Sequence, residues 1–424
     1  MRRGRALTTD PAPWRGLVEG RGVPIIAGMR YDFDSVLDRR DTRSLKWDHC
    51  QVEFGLDDVI PMWVADMDFS APPAVVEAVV RRARHGAYGY ASVPDSMWSS
   101  AIDWLKVRHG WAVERRWLSR APGVVPALSL CVRAFTDPGD AVVVQTPVYY
   151  PFFGAVERNG RRLLRNPLVA EGGRYRMDLD DLERRIDDRT RLLILCSPHN
   201  PVGRVWTRDE LGRLGEICVR RNLLVLSDDI HMDLVMPGHR HVPLASLSPE
   251  LADRTVTLFA PSKTFNIASL NMSLVAAGNA GLLARYQAEF EASGLGIASL
   301  FGSLALEAGY RHGAEWLDQL LEYLSANADL VERFIAGRLP ELRFVRPEGT
   351  YLALIDCRPL GLTQHDLDEF FLRQARVYFD SGAWFGEESA GFERINIACP
   401  RATLTEALQR MERAIRARWP RRAA

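Results

Sequence analysis

Lysine is rare in this chain: of 54 basic residues, all but Lys46, Lys106 and Lys263 are arginine. Lys263 stands just past an apolar run, in TVTLFAPSKTFNIASLN (Thr255–Asn271). Arginine keeps its charge, whereas a desolvated lysine can shed a proton and act as a base or attack a carbonyl. Alone, Lys263 reads more readily as a surface residue of an arginine-biased protein. Four further residues bear on the choice: Asp228 in SDDIHMDL, Asn200 in CSPHNPVGRVW, Tyr149 in QTPVYYPFF and Arg394 in FERINIACP.

Each of these has an ordinary reading as well. Asp228-Asp229 would serve as a helix cap or solvated turn, and Asn200-Pro201 as a turn initiator. Tyr149 would pack in a core, and Arg394 would make an inter-strand ion pair. Together they share one chemistry. A lysine forms a Schiff base with an aldehyde, and a carboxylate holds a pyridine nitrogen protonated. A ring stacks on the heterocycle, an amide bonds its phenolic oxygen, and an arginine fork takes a substrate α-carboxylate. PGVVPALSL adds a Gly123 turn opening a helix of small residues, a cradle of N–H groups for an anion. These are the requirements of pyridoxal 5′-phosphate (PLP), the cofactor expected here.

The elements that must position these residues follow from the apolar pattern. DAVVVQTP, RLLILCSP, NLLVLSDD and TVTLFAPS are short, branched and closed by turn signals, as strands buried on both faces are. Helical spacing lies between and around them, in PPAVVEAVVRRAR, SMWSSAIDWLKVRHG, DLDDLERRI and RDELGRLGEICVRRN. On the second of these helices Lys106 is expected on a solvated face. Alternating strands and helices predict an α/β fold with a mainly parallel central sheet, whose ligands sit at the carboxyl ends of the strands. Lys263, Asp228, Asn200 and Tyr149 all lie just beyond such ends.

After about residue 320 the pattern becomes two amphipathic helices (WLDQLLEYLSANADLVERFIAG the clearest region), then LRFVRPEGTYLALIDC, VYFDSG and FERINIACP, then a last helix, LTEALQRMERAIRARW. This predicts a smaller α+β domain. The expected division is an N-terminal extension over 1–30, a segment 31–74 joining the small domain, a large cofactor-binding domain over 75–320, and a small domain over 321–424. Strand alternation puts Arg394, Asn396 and Ala398 on one face.

A length of 424 residues suits two packed regions, and 54 basic against 54 acidic residues argue against a nucleic-acid binder. No apolar run is long enough for a membrane span, and the first 30 residues do not read as a signal peptide. The six cysteines form no CxxC pair and the nine histidines no HExxH, so no metal is expected and the thiols read as reduced, in a cytoplasmic protein.

The chain resembles the fold-type I PLP enzymes of the aspartate aminotransferase superfamily, and within them the MalY/PatB-like cystathionine β-lyase branch. The resemblance runs from YDFDSVLDRR (Tyr31–Arg40) to the last helix. Its markers are WVADMDF, YGY, TPVYYPFF, SPHNPVG, SDDIHMDL, SKTFNIASL and EGTYLALID, in that order. It implies that Lys263 bonds the cofactor aldehyde, Asp228 pairs with its ring nitrogen, Asn200 and His231 serve its phenolic oxygen, and Tyr149 stacks on the ring. Val124, Val125 and Ser262 would hold the phosphate, joined by Tyr90 of a neighbouring subunit in a homodimer with shared active sites. Arg394, with Asn200, would bind the substrate carboxylate. Trp63, Asp66, Asp68 and Tyr351 are candidates for the pocket that reads the rest of the substrate.

The implied activity is α,β-elimination from L-cystathionine or another S-substituted L-cysteine. An aminotransferase is the alternative, because both reactions begin alike. Many aminotransferases of the superfamily have an arginine eight residues after the lysine, where this chain has Asn271. A regulatory or binding protein that keeps only the fold is a third reading. The chain departs from its relatives at Asp229, commonly Glu, at Ser269, commonly Gly, and at His231, where many have Tyr.

Overall fold

The computed structural model describes residues 30–419. The extension expected over residues 1–30 lies, but for its last residue, outside them. Seven strands form the central sheet, in the spatial order Leu118–Ala121, Ser273–Ala277, Thr255–Phe259, Leu224–Asp228, Thr190–Cys196, Ala141–Thr146 and Arg162–Pro167. The last five run parallel, and Ser273–Ala277 is antiparallel to both its neighbours. The four apolar runs picked from the sequence are four of the five parallel strands, all but the edge strand Arg162–Pro167.

Alternation along these strands builds two cores. Val142, Val144, Leu192 and Ile194 pack against helices Val124–Phe135 and Ala280–Ala292 on one side. Val143, Leu193, Leu195 and Val225 face helix Arg208–Arg220 on the other. Each fully buried Val or Leu contributes about 1.5–3 kcal/mol, so a strand buried on both sides needs an apolar residue at nearly every position. Helix Arg208–Arg220 starts at a reciprocal cap between Thr207 and Glu210. Helix Asp95–His109 ends at Gly110, whose φ of 66° needs no Cβ, and leaves Lys106 exposed.

A second, antiparallel sheet follows, ordered Arg343–Val345, Leu352–Asp356, Phe392–Asn396, Asp380–Ser381. Its register sets Asp380 directly opposite Arg394. The amphipathic region, expected as two helices, is one continuous helix of 25 residues, Ala314–Arg338, and the chain's last described helix is Arg401–Arg418. The short strand Ile60–Pro61 pairs in parallel with Val377–Tyr378, a separate two-stranded sheet that ties the segment before the large sheet to the chain leading into the second one. No helix among the described residues is long and apolar enough to cross a membrane.

Candidate active site

Because the five strands run one way, the loops that leave their carboxyl ends converge on one edge of the sheet. There a cavity of about 180 Å³ is lined by Gly123, Val124, Val125, Tyr149, Asn200, Asp228, His231, Ser262 and Lys263, among others. Eight of these nine are residues the sequence singled out for one cofactor; Gly123 is the turn it read beside them.

Lys263 Nζ donates to the carbonyl of Ala65 at 2.7 Å. Burial lowers the lysine to about 8, assisted by the Arg394 charge and opposed by Asp66 and Asp228. Across the cavity, burial pushes the Asp228 carboxyl up to about 7, with Asp229 adding to it. The Ile230 N–H, 3.1 Å from Asp228 Oδ1, and the Lys263 charge pull the other way. A carboxyl so placed is short of a cation. Burial also holds His231 well below its ordinary value, and its Nδ1 has no partner. Tyr149 is pushed up to about 12 by burial and stays a neutral phenol.

At the other end, helix Val124–Phe135 begins after Gly123 with no side-chain cap, so its first amides face the cavity unclaimed. An anionic group suits that end and a cationic nitrogen the Asp228 end. Asn200 links the cavity to Arg394, whose Nη1 donates to Asn200 Oδ1 at 3.0 Å. The guanidinium is buried, lies 4.7 Å above the Phe385 ring, gives Nη2 to the Trp63 carbonyl at 3.2 Å, and pairs with Asp380.

Two supports hold Lys263 in place. The segment Trp63–Phe69 crosses beside it and is fastened from both sides. Asn266, three residues after the lysine, accepts from Met67 N at 2.9 Å and donates to the carbonyls of Met67 at 2.8 Å and Phe69 at 2.9 Å. Asn396, two residues after Arg394, donates to the carbonyls of Val64 and Asp66, both at 2.6 Å. The second support is Asp233, which is buried and accepts from Trp104 Nε1 at 2.9 Å and Thr264 Oγ1 at 2.7 Å, with His109 Nε2 at 2.7 Å. It grips the residue next to the lysine.

The four residues suggested for the outer pocket do not line this cavity. Asp68 is 2 % exposed and receives bonds from Arg39, Lys46 and Trp47, each at 2.8 Å. Arg39 also holds both oxygens of Asp66, and Trp63 Nε1 bonds the Lys46 carbonyl. Tyr351 donates to the same Ala65 carbonyl as Lys263, at 2.9 Å. These side chains brace the segment that carries the lysine's acceptor. Tyr90 also stands apart from the cavity, 93 % exposed, between helices Pro73–Arg84 and Asp95–His109.

Sequence reasoning assigned no role to Lys46, Asn266, Asp233 or Asp380. The rarity of lysine marked Lys46 without explaining it. Asn266, at φ 56°, takes the left-handed conformation that asparagine tolerates best after glycine, a signal visible in SKTFN.

Residues 57–411 match the family model described as aminotransferase class I and II. The chain is 44% identical to cystathionine β-lyase PatB of Bacillus subtilis over 91% of its own length and 100% of that protein. It is 33% identical to protein MalY of Escherichia coli over 91% and 99%. Among solved structures it resembles cystalysin of Treponema denticola, described as containing a pyridoxal 5′-phosphate cofactor, with TM-score 0.89 and 37% identity over 92% of this chain and 100% of that one. The match of fold, length and motif order over this distance has one explanation, common descent: the chain belongs to the class I and II aminotransferase family, in its MalY/PatB-like branch.

Proposed function

We propose that this protein is a PLP-dependent carbon–sulfur β-lyase that cleaves L-cystathionine or another S-substituted L-cysteine, with water, to a thiol, pyruvate and ammonia. The observation that carries the reading is one cavity holding a deprotonatable Lys263 and a buried, cation-seeking Asp228, in a chain whose relative at 44% identity is named a cystathionine β-lyase.

When bound, the cofactor supplies an aldehyde for amino groups and a ring that accepts the charge left at the α-carbon. The family resemblance implies the roles of the chain's own residues, and the chemistry of each suits its role. Lys263, which burial lowers to about 8, would hold the aldehyde and, as a free amine, would take the substrate's α-proton. Asp228 holds the proton on the ring nitrogen. Tyr149 would lie against the ring, and Asn200 and His231 would serve its phenolic oxygen. The free amides of Val124 and Val125, with the Ser262 hydroxyl, take the phosphate. Arg394, steadied by Asn200, takes the substrate carboxylate.

Tyr90 completes the phosphate site of a second copy of this chain, which makes the active unit a homodimer; its 93 % exposure supports this. Residues 75–320 form the cofactor domain, and 31–74 join 321–424 in the smaller one, a division supported by the parallel pair Ile60–Pro61 with Val377–Tyr378. Six free, buried cysteines support a cytoplasmic setting.

The test is pyruvate release by the PLP-loaded enzyme from L-cystathionine and a series of S-substituted cysteines, without any keto acid. Sustained release that Lys263→Ala abolishes is the expected result. Turnover only when a keto acid is added would make the protein an aminotransferase. A Lys263→Ala variant that keeps a cellular phenotype would point to a role apart from catalysis.

A further inference from the structure

Asp380 and Arg394 face each other across two antiparallel strands, both nearly sealed from water at 4 % and 2 % exposure. Their pairing consumes the resource that the carboxylate site needs. Arg394 gives Nη1 to Asn200 and Nη2 to both the Trp63 carbonyl and Asp380, which uses both N–H groups of Nη2 and leaves the buried Nε–H and one N–H of Nη1 without a partner. A carboxylate received in a fork needs two N–H groups on one edge of the guanidinium. Either such edge includes a terminal nitrogen that is already engaged, so an arriving carboxylate must evict an acceptor.

The three acceptors differ in how readily they leave. Trp63 belongs to the braced segment: Met62 is bonded on both sides, to Tyr378 and Asn396, and Asn396 holds the carbonyls of Val64 and Asp66. Asn200 is neutral and its turn is fixed through Tyr149 N, which donates to the Asn200 carbonyl at 3.1 Å. Asp380 is the one anion. Two carboxylates on one buried guanidinium repel, and burial already raises the Asp380 carboxyl above its ordinary range despite the arginine beside it.

We propose that Asp380 is an internal stand-in for the substrate's α-carboxylate, which occupies Arg394 in the resting enzyme and must be displaced for the amino acid to bind. Asp380 thereby weakens every α-carboxylate ligand by the fraction of time it holds the arginine, and favours substrates that gain enough contact elsewhere to win the exchange. This rests on the reading of Arg394 as the carboxylate-binding residue.

The experiment uses PLP-loaded enzyme and two ligands without a leaving group, L-alanine and L-alaninamide, with binding read from the cofactor's absorbance. Asp380→Asn removes the competing charge at nearly constant shape, and Asp380→Ser removes its reach as well. Both are expected to bind L-alanine about tenfold more tightly than the parent, with L-alaninamide unchanged. L-alanine should also raise the variants' melting temperature more than the parent's, since it supplies the missing anion. Unchanged or weaker L-alanine binding in both variants would overturn the proposal and make Asp380 a prop for the arginine. Arg394→Ala tests the underlying reading separately: if it leaves L-alanine binding intact, Arg394 is not the carboxylate site, whatever the Asp380 variants do.

Discussion

Replacing Asn266 with alanine should cost about 4 kcal/mol of stability. The side chain makes three hydrogen bonds to the backbone of Met67 and Phe69, at 2.8–2.9 Å. At about 1 kcal/mol apiece these account for about 3 kcal/mol. The residue also sits at φ 56°, where a side chain without local bonding adds about 1 kcal/mol. Asn266→Gly loses the same bonds but not the conformational fit, so it should cost about 1 kcal/mol less than alanine. Asn266→Asp keeps the shape while turning a carboxylate towards two carbonyls, and should be at least as harmful as alanine. Urea midpoints measured with matched slopes give the three values. The same variants should lower kcat, because Ala65, whose carbonyl holds the lysine, lies on the segment that Asn266 fastens. A loss under about 1 kcal/mol for alanine, or a glycine variant less stable than the alanine one, would refute the reasoning.

Other outcomes follow from the same interactions. Asp228 has a folded value of about 7 against 3.8 in the unfolded chain, so its contribution is full below about pH 4 and lost as pH rises towards 7. Stability of the cofactor-free protein should therefore fall over that window relative to Asp228→Asn, and equal slopes for the two would contradict the assignment. Burial raises Asp233, but its bonds with His109, Thr264 and Trp104 outweigh this and lower it, so its stabilisation is present above the ordinary aspartate range and lost as pH falls through its folded value. Asp233→Asn should cost about 2–3 kcal/mol near neutral pH, because three bonds lose their charged acceptor, with the penalty shrinking in acid. Gly309→Ala would bring a Cβ to 2.6 Å from the Phe265 ring, two residues past the lysine, and should destabilise by about 1–3 kcal/mol in a thermal melt.

Legibility in the sequence followed the range of the interaction. The central strands announce themselves because burial on both faces forces an unbroken apolar run, as in Ala141–Thr146, whose six residues are all buried. Arg162–Pro167 gave no such signal: it is an edge strand, partly open to solvent, and carries two arginines. Lys263, Asn200 and Tyr149 were found because each follows a strand's carboxyl end by three or four residues, while Asp228, expected just beyond its strand, is that strand's last residue. Asp68 was placed in a substrate pocket on motif alone, whereas its carboxylate is taken by Arg39, Lys46 and Trp47, and nothing local in the chain encodes that. The sequence offered an inter-strand ion pair for Arg394 but did not name Asp380 as its partner, because a two-residue strand has no periodicity to read. The bond from Lys263 to Ala65 spans 198 positions and exists only once both sheets are folded.

The scarcity of lysine has a practical side. Lys46 is sealed at 0 % exposure and paired with Asp68, Lys106 is open to solvent, and Lys263 lines the cavity. A protease that cuts only after lysine has three bonds to cut and yields four fragments. Reducing the loaded enzyme with borohydride would seal one of those bonds and fuse the two fragments that meet at Lys263. A single mass spectrum would then report which amine carried the cofactor, and in what fraction of the molecules.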